Sequence, residues 1–337
     1  LNTTVQRLRV LYTGGTIGMQ MSNDGLAPAG GFEARLREAQ RSFSKQALPE
    51  WSFKELAPLL DSANMAQRNW LTMRDEIVAA YEKDGCDAVL VLHGTDTLAY
   101  SAGALSFLLL DLPIPVVLTG SMQPAGAADS DAWPNLFGAM QALAEGVRPG
   151  VHVFFNGRLM HGARVSKLRS DAPDAFHVLP RRREASPART LASIDFQHPR
   201  SQTNIAILPL FPGLQAHHIE ALATSRPQAL LLECYGSGTG PSDNQEILAA
   251  LREAHRAGTV LAAISQCPNG HIAFDTYAAG SRLRDVGLVS GGGMTREAAL
   301  GKLFALLGMG MVQKDVEHWF AQDLCGEMHD DPNTIAR

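Results

Sequence analysis

Two threonines set among glycines, each directly after an apolar run, carry the chemistry-bearing pattern of this chain: Val10-Leu11-Tyr12-Thr13-Gly14-Gly15-Thr16-Ile17-Gly18 and Val89-Leu90-Val91-Leu92-His93-Gly94-Thr95-Asp96-Thr97. A threonine hydroxyl is a weak nucleophile at neutral pH and needs a base or a lowered proton affinity to react. The flanking glycines let a substrate approach the backbone closely. In a parallel α/β sheet ligands collect outside the carboxyl ends of the strands, so both hydroxyls can open into one crevice. The pair points to a threonine-based hydrolase.

Each loop has a rival reading. A glycine-rich turn after a strand commonly cradles phosphate on the next helix's N-terminus, but no helix follows here at once. Residues Met19 to Gly31 contain Ser22-Asn23-Asp24-Gly25, Pro28 and Gly30-Gly31, and read as a mobile loop until Phe32 starts a helical pattern. Neither dinucleotide nor P-loop glycine spacing is present at this site. We therefore read a lid with Thr16 at its hinge. His93 to Thr97 is either a reactive hydroxyl beside a carboxylate or an Asp/Thr cap on a helix starting at Leu98; two such sites on neighbouring strand ends favour the functional reading. Asn156 to Lys167 reads as a hairpin after a buried strand. A lone lysine is ordinarily a solvated charge, and spacing alone does not single out Lys167.

The elements that must hold these loops alternate in type. Leu8 to Tyr12, Ala88 to Leu92, Pro115 to Thr119 and Val151 to Phe155 are expected as buried strands. Helices are expected over Asn69 to Asp84 and Leu98 to Leu110, as right-handed crossovers require. From Arg181 to Ser201 the chain turns basic and turn-rich, with Pro187 and Pro199. A second series follows, with strands at Asn204 to Leu210, Ala229 to Cys234 and Val260 to Ser265. Its helices are expected near Ala216 to Ala223, Asn244 to Ala257 and Thr295 to Leu307. The expected fold is α/β in two domains. A larger N-terminal catalytic domain over residues 1–190, with a mixed or parallel sheet and flanking helices, precedes a linker over 191–203. A smaller parallel-sheet domain over 204–337 completes the chain.

Composition narrows the class. With 337 residues, 45% hydrophobic and 19% charged, the chain is ample for a packed core. A net charge of -5 supplies no basic field for a phosphate backbone, which argues against nucleic acid as partner. The apolar stretches are shorter than the roughly 20 residues that span a bilayer, so no membrane partner is expected. The first six residues lack the basic and apolar segments of a secretory signal. Cys86, Cys234, Cys267 and Cys325 form no C-x-x-C pair and are expected as reduced, mostly buried thiols, which suits a cytoplasmic protein. The histidines, His217-His218 included, lack metal-ligand spacing.

Four segments fix a resemblance. Tyr12 to Met19, Leu59-Leu60-Asp61-Ser62-Ala63-Asn64-Met65, His93 to Thr97 and Thr119-Gly120-Ser121 occur in the order and spacing of bacterial L-asparaginases, and the chain resembles the type I, cytoplasmic branch. The resemblance extends to Gly292 to Ala298 and to Leu324-Cys325-Gly326-Glu327-Met328. It implies that Thr16 is the attacking nucleophile and that Thr95, Asp96 and Lys167 form the second catalytic group, with Asp96 also receiving the substrate ammonium. By the same resemblance Ser62, helped by Asp61, holds the α-carboxylate, and Ser121 and Met122 border the amide end. The implied reaction converts L-asparagine to L-aspartate and ammonia with no metal or organic cofactor, in a homodimer or homotetramer. Rival readings are a glutaminase-asparaginase, an amidotransferase subunit and a non-catalytic amino-acid binding protein of the same fold. Two departures stand out. Leu26 occupies the place where many relatives carry a lid tyrosine, so that the missing phenol has to be supplied by Tyr12, Tyr100, Tyr235 or, first, Tyr277, or replaced by water. Asp129 precedes Ser130-Asp131 where arginine is usual.

Overall fold

A run of alternating strands and helices builds the first of two units, Leu1–Val178, in a computed structural model that describes residues 5–43, 48–184 and 194–330. In chain order it contains β1 (Arg7–Gly14), the short β2 (Gln20–Ser22) and β3 (Gly25–Ala27), α1 (Phe32–Phe43), β4 (Glu50–Leu60), α2 (Gln67–Glu82), β5 (Ala88–Leu92), α3 (Leu98–Leu108), β6 (Pro115–Thr119), α4 (Ala132–Glu145), β7 (Gly150–Phe155), β8 (Arg158–His161), β9 (Val165–Lys167) and β10 (Phe176–Val178). The main sheet runs β4-β1-β5-β6-β7-β8. Its first five strands are parallel and only β8 turns back, which makes the sheet mixed, one of the two forms expected.

Burial explains the order. Strands β5 and β6 are buried along their whole length, the signature of a parallel sheet covered on both faces. One face packs Tyr12, Phe32, Leu36, Leu136 and Met140 against β1 and β5. Helix α3 is buried over Leu98–Leu108 at every residue but Tyr100. The reversal from β7 to β8 uses Asn156-Gly157, both at positive φ (48° and 73°), which fits the twist of a two-residue hairpin. Beyond it, β9 and β10 pair antiparallel, with Lys167 opposite Phe176.

Several elements depart from the sequence reading. The stretch expected as a mobile loop holds a small antiparallel hairpin, β2 with β3, in which Met21 faces Leu26. Strand β4 was not anticipated. It is an edge strand that carries Lys54, Glu55 and Pro58 and is mostly exposed, so no continuous apolar run announces it.

The second unit, Leu179–Arg337, holds a four-stranded parallel sheet, β11 (Ile205–Pro209), β12 (Ala229–Cys234), β13 (Val260–Ser265) and β14 (Leu288–Ser290), in that order. Helices α5 (Ala216–Thr224), α6 (Gln245–Arg256), α7 (Ala278–Asp285), α8 (Arg296–Gly308) and α9 (Gln313–Phe320) flank it. Asn244 and Thr295 cap α6 and α8 with side-chain oxygens. The division falls between Val178 and Leu179; residues 185–193, which include Pro187 and the start of the expected linker, lie outside the described residues.

The segment after α9 is organised by an ion pair with no exposed surface. Lys302 Nζ donates to Glu327 Oε1 (2.6 Å) and to the carbonyls of Phe320 and Gln322. Glu327 also accepts the amides of Leu324 and Cys325, while Asp323 accepts those of Gly326, Met328 and His329. Burial raises the Asp323 carboxyl to about 6, helped by the neighbouring Glu327 charge. Glu327 is held down at about 2: burial opposes ionisation, and the Lys302 charge and hydrogen bonds outweigh it. All four cysteines are free thiols; Cys86 and Cys234 are buried, whereas Cys267 is exposed.

Candidate active site

Five strands of the first unit deliver the expected residues from their carboxyl ends or just beyond. Thr16 opens a 3-10 turn, Thr16–Gly18, after β1. Asp61 and Ser62 follow β4, Thr95 and Asp96 follow β5, Ser121 and Met122 follow β6, and Lys167 ends β9.

Glycines bring the loops together. Gly15 has φ 86°, and a Cβ there would lie 2.4 Å from the Gly94 amide nitrogen, so the two threonine loops touch backbone to backbone. A Cβ on Gly94 would fall 2.6 Å from both Ser62 Cβ and Oγ, and one on Gly120 would fall 2.2 Å from the His93 carbonyl oxygen. Gly14 is similarly pressed on Leu60, whose carbonyl accepts the Gly15 amide at 3.0 Å. Any side chain at these positions would force apart the strand ends that carry Thr16, Ser62, Thr95 and Ser121.

Lys167 closes the arrangement. Its Nζ donates to Thr95 Oγ1 at 2.9 Å and to Asp96 Oδ1 at 2.8 Å. The lysine side chain is only 17% exposed, whereas that of Asp96 is 65% exposed and open to a ligand. The helix-cap alternative for the second loop does not hold: Thr97 precedes α3 without capping it, and its hydroxyl donates instead to the Ser62 carbonyl at 2.8 Å. That bond ties the β4 and β5 loops a second time.

Other expected residues have different local tasks. The Asp61 carboxylate accepts the Ala63 amide and so shapes the turn that carries Ser62. Ser121 donates its hydroxyl proton to the Gln123 carbonyl at 2.5 Å. The Met122 and Gln123 amides both donate to the Asp131 carboxylate, so neither is available to an oxyanion. Asn135 donates to the Gly120 carbonyl and accepts the Asn156 amide. Asp131 and Asn135 were not singled out from sequence, although a polar pair four residues apart at the start of an apolar helix was a usable signal. Asp129, the departure from the usual arginine, sits at φ 55° in the turn before them.

Sequence alone assigns His93 no role within its motif. It is fully buried, and burial pushes its imidazole pKa down to about 4, partly offset by its bond to the Gly94 carbonyl. The neutral ring fits one tautomer: Nδ1–H donates to the Gly94 carbonyl (2.7 Å), Nε2 accepts the Ser101 hydroxyl (2.7 Å), and Ser101 in turn accepts Trp70 Nε1–H (3.0 Å). This chain fixes the peptide that precedes Thr95. Of the candidate phenols, Tyr12 is fully buried and donates to the Ala29 carbonyl at 3.1 Å, with its pKa raised to about 12 chiefly by burial.

The chain is similar to known proteins along most of its length. Residues 7–195 match the model "Asparaginase, N-terminal" and residues 204–320 match "Glutaminase/Asparaginase C-terminal domain". The chain is 35% identical over 335 residues to L-asparaginase 1 of Escherichia coli (strain K12), covering 96% of this chain and 98% of that protein. Among solved structures, L-asparaginase I from Vibrio cholerae superposes with a TM-score of 0.82 at 32% identity, covering 97% of this chain and 100% of that one. The L-asparaginase from Thermococcus kodakarensis does so with a TM-score of 0.82 at 29% identity, again covering 97% and 100%.

Proposed function

The chain belongs to the asparaginase family, and from that premise we propose that it hydrolyses the side-chain amide of L-asparagine to L-aspartate and ammonia through an acyl-enzyme on Thr16. The observation that carries this reading is Lys167 Nζ held on both Thr95 Oγ1 and Asp96 Oδ1, beside a loop on which the Thr16 loop rests backbone to backbone.

In the first half-reaction the Thr16 hydroxyl oxygen attacks the amide carbon and its proton passes to the departing nitrogen. The C–N bond breaks and ammonia leaves. In the second, water attacks the ester and gives a proton to Thr95 as Thr95 passes its own to Lys167 Nζ, and the Thr16 oxygen leaves with the proton so relayed. Exposed Asp96 pairs with the substrate ammonium, and Ser62 and the turn shaped by Asp61 receive the α-carboxylate. Ser121, its own proton committed to Gln123, borders the amide end beside the Met122 side chain. Because Asp131 occupies the Met122 and Gln123 amides, oxyanion stabilisation falls to other backbone N–H groups.

The test is ammonia release from L-asparagine and from L-glutamine by the wild type and by Thr16→Ala. Asparagine turnover abolished in a folded Thr16→Ala protein is the expected result. Binding of asparagine by the wild type without ammonia release would overturn the reading in favour of a non-catalytic binding protein. Turnover of both amides would make it a glutaminase-asparaginase. We further propose a homo-oligomer working in the cytoplasm, since closed symmetric assembly is the common soluble case; sedimentation of the purified protein as a monomer would overturn the first part. Among the described residues no helix is long and apolar enough to cross a membrane.

A further inference from the structure

The hairpin formed by β2 and β3 follows the Thr16 turn directly, and its two ends converge on one side chain. Tyr12 OH donates to the carbonyl of Ala29, just past the hairpin. The same phenol fills the space under Gly18, just before it: a Cβ on Gly18 would lie 1.9 Å from Tyr12 OH. Arg35, from α1, donates through Nη2 to the Gly18 carbonyl at 2.9 Å and lies over the Phe32 ring, on which Tyr12 stacks with centroids 5.0 Å apart. The turn between is held as well, because Ile17 accepts the Ala125 amide at 3.1 Å. By contrast the outer part of the hairpin leaves Met21 and Leu26 exposed.

We propose that Tyr12 and Arg35 are positioning residues for this amidohydrolase: they clasp both ends of segment 19–29 and thereby fix the Thr16 turn and the path along which the hairpin swings over a bound substrate. The proposal rests on Thr16 as nucleophile. It assigns the phenol no proton transfer, in keeping with a hydroxyl buried beneath the backbone and committed to a carbonyl. Leu26 supplies no proton either, and the clasp sets how well the hairpin seats.

The experiment compares Tyr12→Phe, Arg35→Met and Arg35→Lys in the full chain. It reads kcat and KM for L-asparagine across pH, with amide hydrogen exchange of the 19–29 peptide. One neutral hydrogen bond contributes about 0.5–1.5 kcal/mol net, or roughly two- to twelvefold. Tyr12→Phe is therefore expected to raise KM about fivefold, leave kcat within about threefold, speed exchange across 19–29 and leave the pH profile in place. Arg35→Met should do the same, and Arg35→Lys, which retains one donor, should restore part of the loss. Should Tyr12→Phe fail to fold, the two Arg35 variants carry the test. Wild-type KM and exchange in the clasp variants would overturn the proposal, as would a shifted alkaline limb in Tyr12→Phe, which would make the phenol an acid-base group. Thr16→Ala separates the two layers: ammonia release surviving that change would overturn the nucleophile assignment and the positioning claim with it, whereas its loss beside unaffected clasp variants would overturn the clasp alone.

Discussion

Replacing Lys167 separates the chemistry of the site from its stability. The ammonium makes two hydrogen bonds, to Thr95 Oγ1 at 2.9 Å and Asp96 Oδ1 at 2.8 Å, and its carboxylate partner is two-thirds open to water. An ion pair of that kind contributes at most about 1 kcal/mol to folding. In a domain of this size that corresponds to about 2–4 °C in Tm. The catalytic side is much larger, because a positioned acid-base group typically contributes about 10²- to 10⁴-fold in rate. At 1.36 kcal/mol per decade this is roughly 3 to 5 kcal/mol of barrier. Lys167→Met is therefore expected to lose at least a hundredfold in kcat for ammonia release from L-asparagine while melting within a few degrees of the wild type. Lys167→Arg sharpens the test, since a guanidinium keeps the charge pair with Asp96 yet does not give up its proton in proteins. It should be as slow as the methionine variant. Either variant within tenfold of wild-type kcat would refute the proton-transfer role, and a large drop in Tm with unaltered kcat per folded molecule would make Lys167 structural.

Three further outcomes are expected. Gly15→Ala places a methyl 2.4 Å from the Gly94 nitrogen at φ 86°, and should abolish ammonia release while the far-UV circular dichroism remains native-like. Lys302→Met strands Glu327 in a site with no exposed surface and should cost about 3–5 kcal/mol in urea unfolding; the double variant with Glu327→Gln should recover part of that loss. Between pH 6.5 and 4 the unfolded chain binds more protons than the folded one at His93, so its contribution, about 3 kcal/mol, is present above that window and lost as pH falls through it. Asp323 has the opposite sign: its carboxyl is raised to about 6, so its contribution is present at low pH and lost as pH rises from about 3.8 through 6. Urea titrations at pH 4.5 and 7 should thus show a shallower acid loss in His93→Asn and a steeper one in Asp323→Asn.

Legibility in the sequence followed burial on both faces. The strands at Ala88 to Leu92 and Pro115 to Thr119 coincide with β5 and β6 because a parallel strand covered on two sides must be continuously apolar. Edge strand β4 escaped notice, since half its residues face water and obey no such constraint. At the site, Thr16 and Thr95 were visible through their glycines, whose conformations are local. Lys167 was not: it reaches Thr95 from 72 residues away, and spacing carries no trace of a contact made by a sheet. It entered only through family resemblance. Asp131 and His93 escaped for a related reason, because their value lies in which backbone groups they satisfy, and that is decided by tertiary structure.

The contact between Gly15 and Gly94 has a consequence for how such a protein can be altered. Two backbones that touch without an intervening side chain hold a spacing that no rotamer can adjust. The separation of the two threonine loops is then insulated from the packing fractions of the layers beneath. Apolar residues under the sheet can drift in size, or be redesigned for heat tolerance, with little leverage on the reacting groups. The same insulation leaves the glycines with no near substitute: where most of the interior offers many acceptable solutions, these few positions offer one.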